Sequence, residues 1–160
     1  MKSSDLKELL ICTFGHLVDS QIMGLTIYGE ARGELASGKI AVGSVILERV
    51  DHRDWDGKTV SEVCLMPYQF SCFLPSDPNF SALKMIAQDW ENKYLQSKDL
   101  QDCFHIALDL LSGRILRQSD IAEHHATQYL TTALRKSKAC PAWVGKMKKV
   151  ATVGAHEFYA

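Results

Sequence analysis

Twelve residues constrain this chain more than any others. Lys39–Val50 (KIAVGSVILERV) carries Ile40, Ala41, Val42, Val45, Ile46 and Leu47 around most of a helical circumference. A helix that is apolar all round must be enclosed by other elements, so the segment predicts a central, buried helix. Gly43 and Ser44 leave room on it for a neighbouring backbone to come close. A chain of 160 residues, 46% of them hydrophobic, has the material to enclose it. Chains of about 150 residues bury roughly 68–70% of the surface they expose when unfolded. The same composition argues against disorder. A net charge of -1 excludes a general nucleic-acid binder, which needs a strong basic excess. No apolar run reaches the roughly 18 residues of a membrane-spanning helix.

The remaining segments read as wrapping for that helix. Residues 1–17 predict an N-terminal helix capped by Ser3 or Ser4, with Leu6, Leu9, Leu10 and Phe14 on one face. Its apolar run is short, follows Asp5 and Glu8, and lacks a small-residue cleavage site. A signal peptide is therefore not expected, and synthesis in the cytoplasm is. A second helix is predicted over Val18–Ala31, with Gly33 and Gly38 bracketing a break before the central helix. Asp51–Lys58 reads as a turn-rich loop, and Thr59 with Glu62 as a capping box opening a helix through Met66. Prolines delimit an irregular stretch holding Tyr68-Gln69-Phe70-Ser71, and helices are predicted near Ser81–Tyr94 and Leu100–Ser112. Ala126–Thr131, Val150–Val153 and Glu157–Tyr159 are rich in Thr, Val and aromatics and read as strands. The fold class is α+β, predominantly helical, with a small late β element. No repeat or long linker divides the chain, so one domain over residues 1–160 is expected.

The five cysteines (Cys12, Cys64, Cys72, Cys103, Cys140) are odd in number and widely spaced. That pattern points to free thiols rather than a disulfide framework. His105, His124, His125, His156 and Cys140 offer donors for zinc, yet no metal-ligand spacing organises them, and no metal site is expected. Cys72 or Ser71 with a distant histidine lacks motif support as a nucleophile. Between Glu123 and Glu157 there is no acidic residue, while Arg135, Lys136, Lys138, Lys146, Lys148 and Lys149 all fall there. The segment is either a solvated face or an attractor for an anionic envelope surface.

Glu30 stands out among the acids. It ends an apolar helical segment, half enclosed and half open, which suits a general acid. Glu34 follows four residues later. On an unbroken helix the two carboxylates would share a face, as in a retaining glycosidase, but Gly33 interrupts that reading. Arg32, between them, is expected to pair with an acidic neighbour. Tyr28, Tyr68, Tyr129, Trp143, Phe158 and Tyr159 lie beside polar or turn-forming residues, a pattern that fits either packing or a sugar-binding groove.

The order of segments narrows these options. Ile27-Tyr-Gly-Glu-Ala-Arg-Gly-Glu34, Gly38–Val50, Gln69-Phe-Ser71, Ala126-Thr-Gln-Tyr129, Pro141-Ala-Trp143 and Val153-Gly-Ala-His-Glu-Phe-Tyr159 closely resemble the cell-wall hydrolases of the spore cortex-lytic enzyme type. The resemblance covers residues 20–159. It implies a single catalytic domain with a lysozyme-like, lytic-transglycosylase-like fold. It also implies cleavage of the β-1,4 bond between N-acetylmuramic acid and N-acetylglucosamine in peptidoglycan, with no metal or organic cofactor. Glu30 occupies the position of the family's catalytic acid. Gln69, Ser71 and Tyr129 are expected to line the sugar groove, with Trp143 and Tyr159 supporting it.

Two features depart from the family pattern. Glu48 stands where Asn is common, which makes it, with Glu34, a secondary acid candidate. Gln128 and Leu130 replace the histidines often found beside the tyrosine. The readings weighed against a lytic transglycosylase are a hydrolytic muramidase, a non-catalytic peptidoglycan-binding module and a metal-dependent wall amidase. The chain is expected to be a monomer of phage-endolysin type, reaching the wall after the host membrane is permeabilised.

Overall fold

The fold is known from a computed structural model, which describes residues 1–52 and 57–160. Helix α1 (Ser3–Phe14) buries Leu6, Leu10 and Phe14. Its cap is Lys2 rather than a serine; Ser3 and Ser4 sit inside the first turn, where Ser4 bonds Asp5. Helix α2 (Asp19–Ala31) opens where the Val18 N–H donates to Gln21 Oε1 at 3.1 Å, and it buries every residue from Ile22 to Ile27. Helix α3 (Ala36–Asp51) is the central helix the sequence demands, buried without a break from Ala41 to Arg49. Gly38, expected to bound the break before it, lies within its first turn. Of the loop expected over Asp51–Lys58, Asp51 closes α3 and residues 53–56 lie outside the described residues.

Helix α4 (Val60–Cys64) carries the expected capping box. The Glu62 N–H donates to Thr59 Oγ1 and the Thr59 N–H donates to Glu62 Oε2, each at 3.2 Å. A 3-10 turn follows at Ser71–Phe73. The helix expected over Ser81–Tyr94 is two helices, α5 (Phe80–Gln88) and α6 (Trp90–Gln96). They part at Asp89 (φ -144°, ψ 53°), whose carboxylate accepts from the Asn92 side chain at 2.8 Å. Asp favours such helix starts because its side chain competes for local backbone and side-chain donors. Helix α7 (Lys98–Leu111) is capped by Ser97, which accepts from the Leu100 N–H at 3.2 Å. Helix α8 (Ser119–His124), capped by Gln118, was not expected from the sequence.

Strand β1 (Gln128–Thr131) starts two residues later than expected, because the Ala126 N–H is taken by the Ile121 carbonyl at the end of α8. A short helix α9 (Thr132–Arg135) and a 3-10 turn (Ala142–Lys146) lead to β2 (Lys149–Val153) and β3 (His156–Tyr159). The sheet is antiparallel in the order β1-β3-β2. Tyr129 pairs with Phe158, so these two share one face and Leu130 and Tyr159 share the other.

Glycines let the helices meet. A Cβ on Gly24 would lie 2.9 Å from the Phe104 Cα, which is how α2 presses against α7. The largest core joins α1, α2 and α7 with the Ser71–Phe73 turn. A second, of Ala41, Val45, Ile121, Ala126 and Phe158, glues α3 to the inner face of the sheet. A third, of Leu130, Val144 and Tyr159, covers the outer face. All five cysteines are free, with Cys64, Cys72 and Cys103 buried. Among the described residues, no single helix is long and apolar enough to cross a membrane.

Candidate active site

Glu30 is the second-last residue of α2, half-buried where that helix meets the Ser71–Phe73 turn and the inner face of the sheet. Gly29 makes the meeting possible. A Cβ there would lie 2.6 Å from the Cys72 Cβ and 2.8 Å from its Sγ, closer than side chains come. The resulting approach delivers the Cys72 N–H to Glu30 Oε1 at 3.0 Å, with Ser71 Oγ at 3.3 Å from the same oxygen. Tyr129, from β1, donates its hydroxyl to Glu30 Oε2 at 3.1 Å. Three neutral donors from two distant segments thus converge on one carboxyl group.

Burial, with Glu30 second, raises the Tyr129 phenol well above its ordinary value, so it remains a neutral hydroxyl. Burial likewise raises the Cys72 thiol well above its usual range, which keeps it protonated and leaves the nucleophilic-cysteine alternative without a thiolate. Arg49 of α3 was not singled out from the sequence and organises the floor. It is 2% exposed, its Nε donates to the Thr127 carbonyl at 2.8 Å, and its Nη1 reaches the Gln69 carbonyl at 3.5 Å. Its guanidinium also stacks 4.7 Å over the Phe70 ring. Burial lowers its pKa while Tyr129, Cys64 and Glu30 oppose that shift. One side chain therefore ties the Gln69–Ser71 stretch and the entry to β1 to the central helix. An arginine inside an apolar helix was the available signal.

Ser71 and Tyr129 join Glu30 directly. Gln69 lies two residues before Ser71, after Tyr68 turns the chain at φ 66°, and contributes its carbonyl to Arg49. Trp143 and Tyr159 go elsewhere. They pack edge to face at 5.4 Å, and Tyr159 lies on the outer face, where its hydroxyl donates to Glu157 at 2.6 Å. Glu34 does not share a helical face with Glu30, because α2 ends at Ala31. Its carboxylate instead receives the Ala155 N–H at 3.2 and 3.3 Å and lies 3.6 Å from His156 Nδ1. Glu48 is buried and held by Arg117 at 2.7 Å and His125 at 3.0 Å. Among the described residues Arg32 pairs with no acid; it folds back over the Tyr28 ring at 5.1 Å.

The candidate zinc donors scatter: His105 bonds Tyr94, His125 bonds Glu48, and His156 faces Glu34. Among the described residues, no three His, Cys, Asp or Glu side chains gather in a way that would hold a metal ion.

Comparison with known proteins bears on the fold and the family. The chain is similar in structure to the catalytic domain of the Bacillus cereus SleB protein, with a TM-score of 0.59 and 24% identity over 89% of each chain. It is similar to the catalytic domain of the germination-specific lytic transglycosylase SleB from Bacillus anthracis, with a TM-score of 0.59 and 26% identity over 89% of this chain and 93% of that one. These matches bear out the expected predominantly helical, lysozyme-like architecture. No curated protein matches the sequence. The model of the cell wall hydrolase family matches residues 33–159, a stretch that includes Glu34, Ser71 and Tyr129 and starts three residues after Glu30. The chain belongs to the cell wall hydrolase family.

Proposed function

We propose that this enzyme cleaves the β-1,4 bond between N-acetylmuramic acid and N-acetylglucosamine in peptidoglycan as a lytic transglycosylase, with Glu30 as its general acid and base. The observation that carries the reading is that, among the described residues, the Glu30 carboxyl group receives its hydrogen bonds from neutral donors. The Cys72 N–H can only donate, so Glu30 Oε1 stays the acceptor oxygen. The proton is then carried on Oε2, beside the Tyr129 hydroxyl, which can turn from donor to acceptor. Oε2 is the atom that meets the glycosidic oxygen.

The reaction balances with one protein acid. Glu30 gives its proton to the leaving N-acetylglucosamine oxygen as positive charge develops at the muramoyl C1. The resulting carboxylate takes the proton of the muramoyl C6 hydroxyl, and O6 bonds to C1. A 1,6-anhydro end forms, no water is consumed, and Glu30 is again protonated. Retaining hydrolysis generally needs a second carboxylate about 5–5.5 Å away, whereas a substrate that supplies its own nucleophile does not. Engagement of Glu34 with Ala155 and of Glu48 with Arg117 favours the one-acid route.

Ser71, exposed beside Glu30, and Gln69, two residues before it, are proposed to contact the glycan. The basic segment is proposed to draw the enzyme to anionic wall material. Arg135, Lys136 and Lys149 line a cavity of about 500 Å³ on the outer face, with Tyr159 and Glu157. The test is mass spectrometry of soluble products from purified peptidoglycan, with wild type and Glu30→Gln run in parallel. Muropeptides lighter by one water, from wild type alone, are expected. Reducing muramic-acid ends would make the enzyme a muramidase, and equal release by the variant would remove Glu30 from the reaction.

A further inference from the structure

Glu34 and His156 take no part in the reaction above, yet both are built in with unusual care. The Glu34 carboxylate sits in a pocket made by two glycines. A Cβ on Gly38 would lie 2.8 Å from the Glu34 Cβ, and one on Gly154 would lie 2.0 Å from its Oε2. Gly154 has φ 57°, the left-handed conformation that turns β2 into β3 and presents the next N–H, that of Ala155, to both Glu34 oxygens. Beside this clamp, His156 is 5% exposed and its Nδ1 has no hydrogen-bond partner among the described residues; Glu34 Oε1 lies 3.6 Å from it. An unpaired buried ring nitrogen is destabilising and asks for an explanation. The His156 ring meets the Tyr129 ring edge to face at 5.5 Å. Tyr129 in turn donates to Glu30.

The two acids of the Gly29-Glu30-Ala31-Arg32-Gly33-Glu34 block thus grip the same sheet at two points. Glu30 meets β1 through the Tyr129 hydroxyl, and Glu34 meets the β2–β3 turn through Ala155 and His156. We propose that Glu34 and His156 are positioning residues, which fix the sheet against the end of α2 so that the Tyr129 hydroxyl stays on Glu30 Oε2. The proposal rests on Glu30 being the catalytic acid. It assigns Glu34 a part in holding the acid's partner rather than in the chemistry.

A residue acting only through Tyr129 has a distinctive signature. Its loss lowers kcat with little change in KM, and does nothing further once the Tyr129 hydroxyl is gone. Misplacement of a catalytic contact by about 1 Å costs up to about 10²-fold. The experiment measures kcat and KM on purified peptidoglycan fragments for wild type, Glu34→Ala, Glu34→Gln, His156→Phe, Tyr129→Phe and the double variant Glu34→Ala/Tyr129→Phe. Glu30→Gln is the reference, with folding checked by circular dichroism. The expected result is a 10- to 100-fold loss of kcat in Glu34→Ala with KM within twofold of wild type. Recovery is expected in Glu34→Gln, whose amide oxygen still accepts from Ala155, and no loss in the double variant beyond that of Tyr129→Phe. Wild-type kcat in folded Glu34→Ala, or fully multiplicative losses in the double variant, would overturn the proposal. If Glu34→Ala does not fold, Glu34→Gln and His156→Phe decide: wild-type kcat in both overturns it, and a fall in kcat at constant KM in His156→Phe supports it. Activity retained by Glu30→Gln would instead sink the underlying assignment, a failure visible in a different variant.

Discussion

The small sheet carries a tyrosine–glutamate pair on each face, and the two pairs have different company. On the inner face Tyr129 donates to Glu30 at 3.1 Å, across 99 residues of sequence. On the outer face Tyr159 donates to Glu157 at 2.6 Å, across two. Glu157 also has Lys149 at 3.9 Å. Among the described residues the donors on Glu30 are neutral, and two of them, Ser71 and Tyr129, are hydroxyls that can reverse their role. Both faces hold the same two side chains; the third partner differs, an exposed lysine on the outer face and the backbone N–H of a distant turn on the inner one.

The sharpest way to break this contrast is to neutralise each acid. Glu30→Gln is expected to lower kcat by about 10²–10⁴-fold, the usual worth of a general acid–base. Glu157→Gln is expected to leave kcat within about twofold, and turnover of soluble glycan fragments measures both. Next comes Gly29→Ala, which puts a methyl group into Cys72 and pushes the Ser71–Phe73 turn away from Glu30. Overpacking of this kind costs about 1–3 kcal/mol, read from urea unfolding, and kcat is expected to fall with it. Tyr159→Phe removes one hydrogen bond on the outer face and is expected to cost about 0.5–1.5 kcal/mol in the same measurement.

The smallest effect concerns pH. Burial lowers the pKa of His156 from its ordinary 6.5, while Glu34 and Glu30 pull the other way; the neutral Tyr129 phenol faces it from β1. The folded state therefore binds that proton more weakly than the unfolded chain. This contribution to stability is present above about pH 6.5 and is lost as pH falls through the lowered value. Thermal unfolding between pH 8 and 5 is expected to show a smaller acid-side loss in His156→Phe than in wild type.

The sequence made the helical body legible and only part of the site. The all-round apolar pattern of Lys39–Val50 identified α3, and Thr59 with Glu62 identified a helix start, because both are local rules. The break at Asp89 and the helix Ser119–His124 escaped, since each depends on a single cap rather than a long period. The convergence of Ser71 and Tyr129 on Glu30 spans 41 and 99 residues, and no periodicity reports it; only the order of familiar segments did. The Cys72 N–H has no side-chain signature at all. The resemblance groups Trp143 and Tyr159 with the sugar groove, whereas the strand register, which local sequence does not report, sets Tyr129 opposite Phe158 and turns Tyr159 to the other face.

The order β1-β3-β2 has a consequence for how this enzyme comes to be. The two outer strands are made first and have no bond to each other, so both wait for a middle strand that leaves the ribosome after them. Until that strand arrives, Tyr129 has no fixed place and Glu30 has no partner on Oε2. Long-range pairing of this kind is slow to form. A chain that has its whole helical body but not β3 is therefore expected to lack the paired β1 that brings Tyr129 to Glu30.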